Sequence, residues 1–456
     1  MKKQVKTAFS AFLCATLICS AFAGCGGGII RDSSSEETDE SKTQLKVGVW
    51  DGGFRYNWLD KWADEFEILH ENTIFEEGKK GVQVTVVPSK SLALENVPSY
   101  IKGADEHLYV TEQTNYFSFI AENAALDITD AVTTPLTEYG EDKSIVQKMS
   151  QEDNDYFGVD NADKTEKTYY SLPWYASFFG LNYDVDLFEE QNFYFAADGY
   201  GVDGFVIGMD TPRSKGPDGK TGKGPNGEDY TLDDGLPATY DEFFKLCDKI
   251  VEMGMYPITW TGGVKDYMNY FTASLVSDAV GFEQAKLNYT LDGTKATGIV
   301  KKVNADGTLV YESPVSITNE NGYLLQKQDG RYYALQFLDR LVNTRDGEGK
   351  TKYYDEQLCT DPGDKHTVAQ ARFLSSKYET NPNVKTVAMI AEGSWWYNEA
   401  SPVFAQMAST PGAGMNERRI GFMPMPKPII SSAFCALNDK KYPPVGVDIF
   451  YKVMFS

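Results

Sequence analysis

Two short alternating segments with a helical repeat between them decide what this chain can fold into. Leu45-Lys-Val-Gly-Val-Trp50 and Val82-Gln-Val-Thr-Val-Val87 both alternate in side-chain character, the period of a half-buried strand. Between them, Trp58, Leu59, Trp62, Phe66 and Leu69 recur at the spacing of one helix face. Strand, helix and strand in that order make a βαβ unit, which requires a parallel sheet with helices packed on it. A third strand is expected at His107–Val110.

The theme returns in the second half. Thr239-Tyr-Asp-Glu242 has the spacing of a capping box, and Phe243, Phe244, Cys247, Ile250 and Val251 form the apolar face of the helix it starts. Gly254 ends that helix, and Tyr256–Trp260 reads as a short strand. Leu335, Phe337, Leu338, Leu341 and Val342 mark another amphipathic helix. Thr386–Ile390 reads as an apolar strand, and Ile420-Gly-Phe-Met-Pro-Met-Pro as a strand broken by prolines. Alternation over nearly 400 residues is too long for one core, so two α/β lobes are expected.

The N-terminus carries Lys2, Lys3 and Lys6, then an apolar run from Ala8 to Ala23. That is the basic-then-apolar order of a secretory signal peptide, and the run is short of the roughly 20 residues of a spanning helix. Phe22-Ala23-Gly24-Cys25 resembles a bacterial lipobox, which implies diacylation of Cys25; ordinary cleavage near Ala23 is the other reading. Residues 26–44 are Gly-rich, then Ser-rich and acidic, the composition of a flexible tether. Past the signal peptide and Cys25, the cysteines are Cys247, Cys359 and Cys435, widely spaced and without CxxC, so buried single thiols are expected.

Composition removes several classes of function. A net charge of −23 excludes the basic face that nucleic acid needs. Three scattered histidines, His70, His107 and His366, do not make a His-based metal centre. No GxSxG, HExxH, P-loop or GxGxxG motif is present. A glycosidase carboxylate pair cannot be singled out among 66 acidic residues. Asp218, Asn226, Glu228, Asp233 and Asp234, in a Gly/Asp/Pro-rich span at 203–236, suit either a Ca²⁺ loop or a solvated hairpin.

Aromatic residues concentrate in four places: Trp50–Tyr56, Tyr169–Tyr183, Trp260–Tyr270 and Trp395–Tyr397. Each lies beside a strand with glycine near. A sugar ring offers one apolar C–H face and a rim of hydroxyls, so it suits a flat indole or phenol edged by polar groups. The alternative for each ring is a place in the core.

At these places the chain resembles the extracellular solute-binding proteins of sugar ABC importers. YSLPWYASFFGLNYDVDLF resembles that family's Y-x-x-P … G-L-x-Y-N-x-D-L-F segment, with Asp184 in place of Asn. LPATYDEFFKLCDKI resembles its P-x-T-W-D-E helix start, with Tyr240 in place of Trp. VAMIAEGSWW resembles its A-M-x-x-x-G-x-W segment, and IGFMPMP its I-G-x-x-P-x-P strand. The resemblance covers about residues 45–428 and implies a two-lobed α/β fold of the periplasmic-binding-protein type, with the ligand in a cleft between lobes. It implies a signal peptide at 1–24, a lipidated Cys25 and linker at 25–44, mainly lobe 1 at 45–175, mainly lobe 2 at 176–385, and crossing segments with a truncated C-terminus at 386–456.

Carried over residue by residue, the resemblance implies ligand contacts from Trp50, Asp51, Phe54 and Arg55, and from Gln113 and Thr114 after the third strand. It adds Trp174, Tyr175 and Ser177, then Asp266 and Tyr267, then Trp395 as a stacking platform and Trp396 beside it. The implied protein is no enzyme: a monomeric lipoprotein, without cofactor or metal, anchored on the outer face of a bacterial cell membrane. It would capture an oligosaccharide and deliver it to ABC permease subunits. A solute-binding protein for another small ligand, such as a polyamine, and a surface glycoside hydrolase are the alternatives. Family chains continue past the P-x-P strand with further helices; this one stops soon after Pro428, in VDIFYKVMFS, so reduced stability and weak sugar binding are expected.

Overall fold

A computed structural model describes residues 36–93, 97–112, 116–161, 163, 165–194, 235–237, 239–360, 366–408 and 419–428. The chain divides into two compact units between Ala176 and Ser177. Both are α/β, as the alternation implies.

The first unit is built on β1 (Thr43–Trp50), α1 (Asn57–Leu69) and β2 (Val82–Ser89), with β3 (Leu108–Val110) on the other side of β1. The sheet order is β2-β1-β3 and both pairings are parallel, with Val47 opposite Val86 and Leu108. Its core takes in Leu59 and Phe66 of the expected helix face, with Trp58 and Trp62 partly buried against it. Val47 and Val49 of β1, Val82, Val84 and Val86 of β2, and Leu59, Ala63 and Phe66 of α1 are all buried together. Burying one such large side chain contributes about 1.5–3 kcal/mol. Leu69, expected on the same face, is 54% exposed because α1 is ending there and His70 turns the chain. Further along are α2 (Val97–Gly103), α3 (Tyr116–Ala121), α4 (Thr129–Thr133), α5 (Gln151–Phe157) and the antiparallel pair β4 (Gly158–Asp160) and β5 (Lys167–Tyr169). α3, α4, α5 and β5 share a separate core of Tyr116, Ile128, Val132, Leu136, Ile145, Phe157 and Tyr169, whereas Val97 of α2 is buried with Leu92 and Phe119.

The second unit starts with β6 (Phe179–Asp184), α6 (Val185–Gln191), α7 (Tyr240–Glu252), β7 (Tyr256–Trp260), α8 (Lys265–Val280) and α9 (Phe282–Thr290). Two small antiparallel ribbons follow, made by β8 (Lys295–Ala296), β9 (Val300–Val303), β10 (Leu309–Tyr311) and β11 (Val315–Ser316). Then come α10 (Asp329–Asn343), α11 (Glu356–Thr360), α12 (His366–Ser375), β12 (Val387–Gly393), α13 (Trp396–Glu399), α14 (Ser401–Ala408) and β13 (Ile420–Met423). The main sheet has the order β13-β6-β12-β7, with β12 parallel to β7 and β6 antiparallel to both its neighbours. The segments expected as strands at 386–390 and 420–426 supply β12 and β13 of this sheet.

Local chemistry explains the element ends. The capping box at α7 forms as read: Thr239 Oγ1 accepts from Glu242 N at 3.2 Å, and the Glu242 carboxylate accepts from Thr239 N at 3.1 Å. Asp184 caps α6 by accepting from Leu187 N at 3.0 Å. On α10 the buried stripe is Ala334, Phe337 and Leu341, and Leu335 is 62% exposed, one position off the face that packs on α7 and α8. Cys247 and Cys359 are buried free thiols, and burial raises the Cys247 thiol well above its ordinary range. Cys435 lies outside the described residues.

Candidate functional site

In the first unit the aromatic residues gather at the carboxyl end of the parallel sheet, the end at which α/β sheets take ligands. Asp51 N extends the β1–β2 ladder by one bond, to Ser89 O at 3.2 Å, and the chain then turns. The Trp50 indole folds back over Gly52 so closely that a Cβ there would lie 2.1 Å from the ring; only glycine fits. The turn closes with Arg55 N on Gly52 O at 2.7 Å, and Arg55 takes a left-handed backbone at φ 59°. Non-glycine residues held in that region cluster at ligand sites.

Around this turn the rings interlock. Trp58, from the first turn of α1, stacks on Trp174 with centroids 5.1 Å apart and planes 21° from parallel. Tyr175 packs 4.2 Å from Trp174 and 4.5 Å from Phe54. Both indole N–H groups are spent on backbone: Trp58 Nε1 donates to Arg55 O at 3.0 Å, and Trp174 Nε1 to Thr111 O at 3.2 Å, just past β3. These two bonds hold the indole edges in place. At the rim, Arg55 Nε stands 3.5 Å from Asp51 Oδ1, with the guanidinium exposed.

The second unit has its own aromatic end, where β12 finishes and β6 begins. Gly393 lies opposite Phe179, and the corner is closed by Ser394 N on Phe178 O at 2.7 Å and Phe178 N on Ser394 Oγ at 3.1 Å. Here too a tryptophan leans on a glycine, since a Cβ on Gly393 would lie 2.1 Å from the Trp395 ring. Trp395 is half-buried, with Phe179, Tyr270 and Tyr267 at centroid distances of 6.1, 6.2 and 6.3 Å.

Beneath Trp395 lies a polar group that the sequence did not reveal. Glu392, the penultimate residue of β12, is fully buried. Gln370 Nε2, from α12, donates to Glu392 Oε2 at 3.3 Å and to Glu399 Oε2 at 2.9 Å. Tyr267 donates its hydroxyl to the same Glu399 oxygen at 3.5 Å. Burial, and then the charge of Glu399, push the Glu392 carboxyl well above the usual carboxylate range. Burial, then Glu392 and Glu399, raise the Tyr267 phenol.

The expected residues therefore fall into three groups. Trp50, Asp51, Phe54, Arg55, Trp174 and Tyr175 come together on the first unit. Trp395 and Tyr267 meet on the second, where Tyr267 is only 7% exposed and packs edge to face on Trp395. Asp266 is exposed in the first turn of α8, where it accepts from Asn269 Nδ2 at 3.5 Å, and Ser177 opens the second unit half-buried. Trp396 is a correction. It is 3% exposed, packs on Phe373 and Phe404, and donates Nε1 to Asn182 Oδ1 at 3.2 Å, so it belongs to the core. Trp260, in the third aromatic run, is likewise buried in β7 against Tyr354.

Gln113, Thr114, Cys25 and the signal segment lie outside the described residues. So do Asp218, Asn226, Glu228, Asp233 and Asp234, and the tail beyond Pro428. Among the described residues no group of three or more His, Cys, Asp or Glu is placed to hold a metal, and no helix is long and apolar enough to cross a membrane. Trp58, Tyr270, Glu392, Glu399 and Gln370 were not singled out from sequence as site residues.

No protein-family model matches the chain, and no curated protein matches it. Among solved structures that do match is the apo form of RafE from Streptococcus pneumoniae, 13% identical, with a TM-score of 0.44, covering 86% of this chain and 69% of that one.

Proposed function

We propose that this chain is an extracytoplasmic solute-binding protein that captures an oligosaccharide and hands it to an ABC-type permease without covalent chemistry. One observation carries the reading: in each unit a half-buried aromatic group stands at a strand's carboxyl end, Trp58, Trp174 and Tyr175 in the first and Trp395 with Phe179 in the second. Such a surface suits the C–H face of a sugar ring, while Asp51 and Arg55 suit its hydroxyl rim. The anchor belongs to the same proposal, with Cys25 as the diacylated residue and 26–44 as its tether; two acyl chains on one residue suffice for stable anchoring.

The test is calorimetric titration of the protein with a panel of mono- and oligosaccharides. Micromolar affinity, about −8 kcal/mol, is expected for at least one. Trp174→Ala and Trp395→Ala report separately on the two aromatic groups. No heat with any sugar, together with binding of spermidine, would replace the sugar reading by the polyamine one. Release of reducing ends from glycans would make the protein a hydrolase. Growth on labelled palmitate should mark the wild type and leave Cys25→Ala unmarked.

A further inference from the structure

Stacking a sugar on Trp395 does not require two carboxyl groups beneath it, yet the fold builds them in. Glu392 comes from β12, Glu399 from the end of α13 and Gln370 from α12, so three elements converge on one point. Gln370 is itself fully buried, and its single Nε2 serves both glutamates while its Oε1 is buried without a hydrogen-bond partner. Glu392 Oε1 is held by Gly393 N at 2.9 Å, which fixes the carboxyl plane at the strand's end. The charge acting on Glu392 is that of Glu399; the other titratable group facing the pair is the Tyr267 phenol from α8. Two anions on one buried amide repel most where water screens them least, and Glu392 is fully buried. One retained proton removes that repulsion. The phenol bonded to Glu399 touches Trp395 edge to face, with planes 69° apart, so the state of the pair reaches the indole in two steps.

We propose that Glu392 in its protonated form, with Glu399 and the Gln370 amide, positions Tyr267 and through it the Trp395 platform, and that losing this proton as pH rises lowers sugar affinity at this end of the second unit. The affinity clause rests on the sugar-binding reading; the positioning clause does not. Glu392 and Glu399 are positioning residues here, since the role proposed for them runs through Tyr267.

The experiment is ligand-free first. Acrylamide quenching of tryptophan emission is measured on the full chain from pH 5 to pH 9, with Trp395→Phe identifying the Trp395 share of the signal. In the wild type the Trp395 share becomes more quenchable through one transition as pH rises. Glu392→Gln, which mimics the protonated acid, abolishes the transition and keeps the low-pH behaviour. Glu399→Gln moves the transition to lower pH and serves as the second variant should Glu392→Gln not fold. A wild-type signal that does not change with pH, or an unchanged transition in Glu392→Gln or Glu399→Gln, overturns the positioning role. Calorimetry with maltose, maltotriose and cellobiose follows. About a tenfold loss of affinity across the transition, one pKa unit's worth, is expected in the wild type and none in Glu392→Gln. Binding that ignores pH while the quenching titrates overturns the affinity clause. If none of the three sugars binds at any pH, the affinity clause fails with the sugar reading, and the quenching data still decide the positioning.

Discussion

Asp278, near the end of α8, has both carboxylate oxygens shut off from solvent with no hydrogen-bond partner. Burial raises its carboxyl to about 7 against an opposing pull from Lys427, and burial in turn lowers the Lys427 ammonium. In the unfolded chain an aspartate titrates near 3.9. Between these values the native state binds the proton and the unfolded state has lost it. The stability this linkage supplies is therefore complete below about pH 4 and drains away as pH rises through about 7. At about 1.4 kcal/mol per unit, the loss between pH 5 and pH 8 comes to about 3 kcal/mol. Asp278→Asn keeps the shape and removes the titration. Urea unfolding followed by circular dichroism at pH 5, 6, 7 and 8 should show the variant gaining about 3 kcal/mol on the wild type across that range. Parallel pH profiles for the two proteins would refute the reasoning, because they would mean that Asp278 ionises natively as easily as it does unfolded.

Four further outcomes are expected. Gly330→Ala should cost about 1–3 kcal/mol in a melting experiment, because a Cβ there would lie 2.4 Å from Val280 Cγ1 and 3.0 Å from Val276 O, where α10 meets α8. Trp396→Ala should cost about 3–5 kcal/mol of stability as a core truncation. Trp395→Ala should instead weaken sugar binding by about 1–3 kcal/mol in calorimetry, with a smaller loss of stability. Thr239→Ala should lose about 1 kcal/mol in urea unfolding by opening the capping box.

The parts legible in the sequence are those set by neighbours in the chain. β1, α1 and β2 carry their period in consecutive residues, and Thr239 with Glu242 closes its box within one turn. The aromatic run at Trp50–Tyr56 was likewise visible as a loop after a strand. What stayed hidden depends on partners far away. Trp58 looks like one more helix-face residue until Trp174 arrives to stack on it. Trp396 and Trp260 lie in aromatic runs that suit a platform or a core equally well, and only Asn182 and Tyr354 show them enclosed. Glu392 had one local signal, a lone carboxylate closing the apolar run Val387–Ala391, but only α12 and α13 show that it is buried against a second glutamate. Asp278 had none, since a helix pattern does not report which of its polar positions the rest of the fold will cover.

The order of strands in the second unit has a kinetic consequence. In the first unit, the three paired strands lie within Thr43–Val110, so that sheet can close as soon as those residues are available. In the second, β6 is buried along its whole length and both of its neighbours come late in the chain; Asn182 and the Glu392 carbonyl it bonds are 210 residues apart. At about 5–20 residues per second, ribosomal synthesis leaves β6 waiting roughly 10–40 s for β12. Throughout that interval an apolar strand has both edges open, the condition under which chains pair wrongly with one another. The second unit is thus the one whose maturation a holding chaperone would govern, and its yield should fall with expression rate more steeply than that of the first.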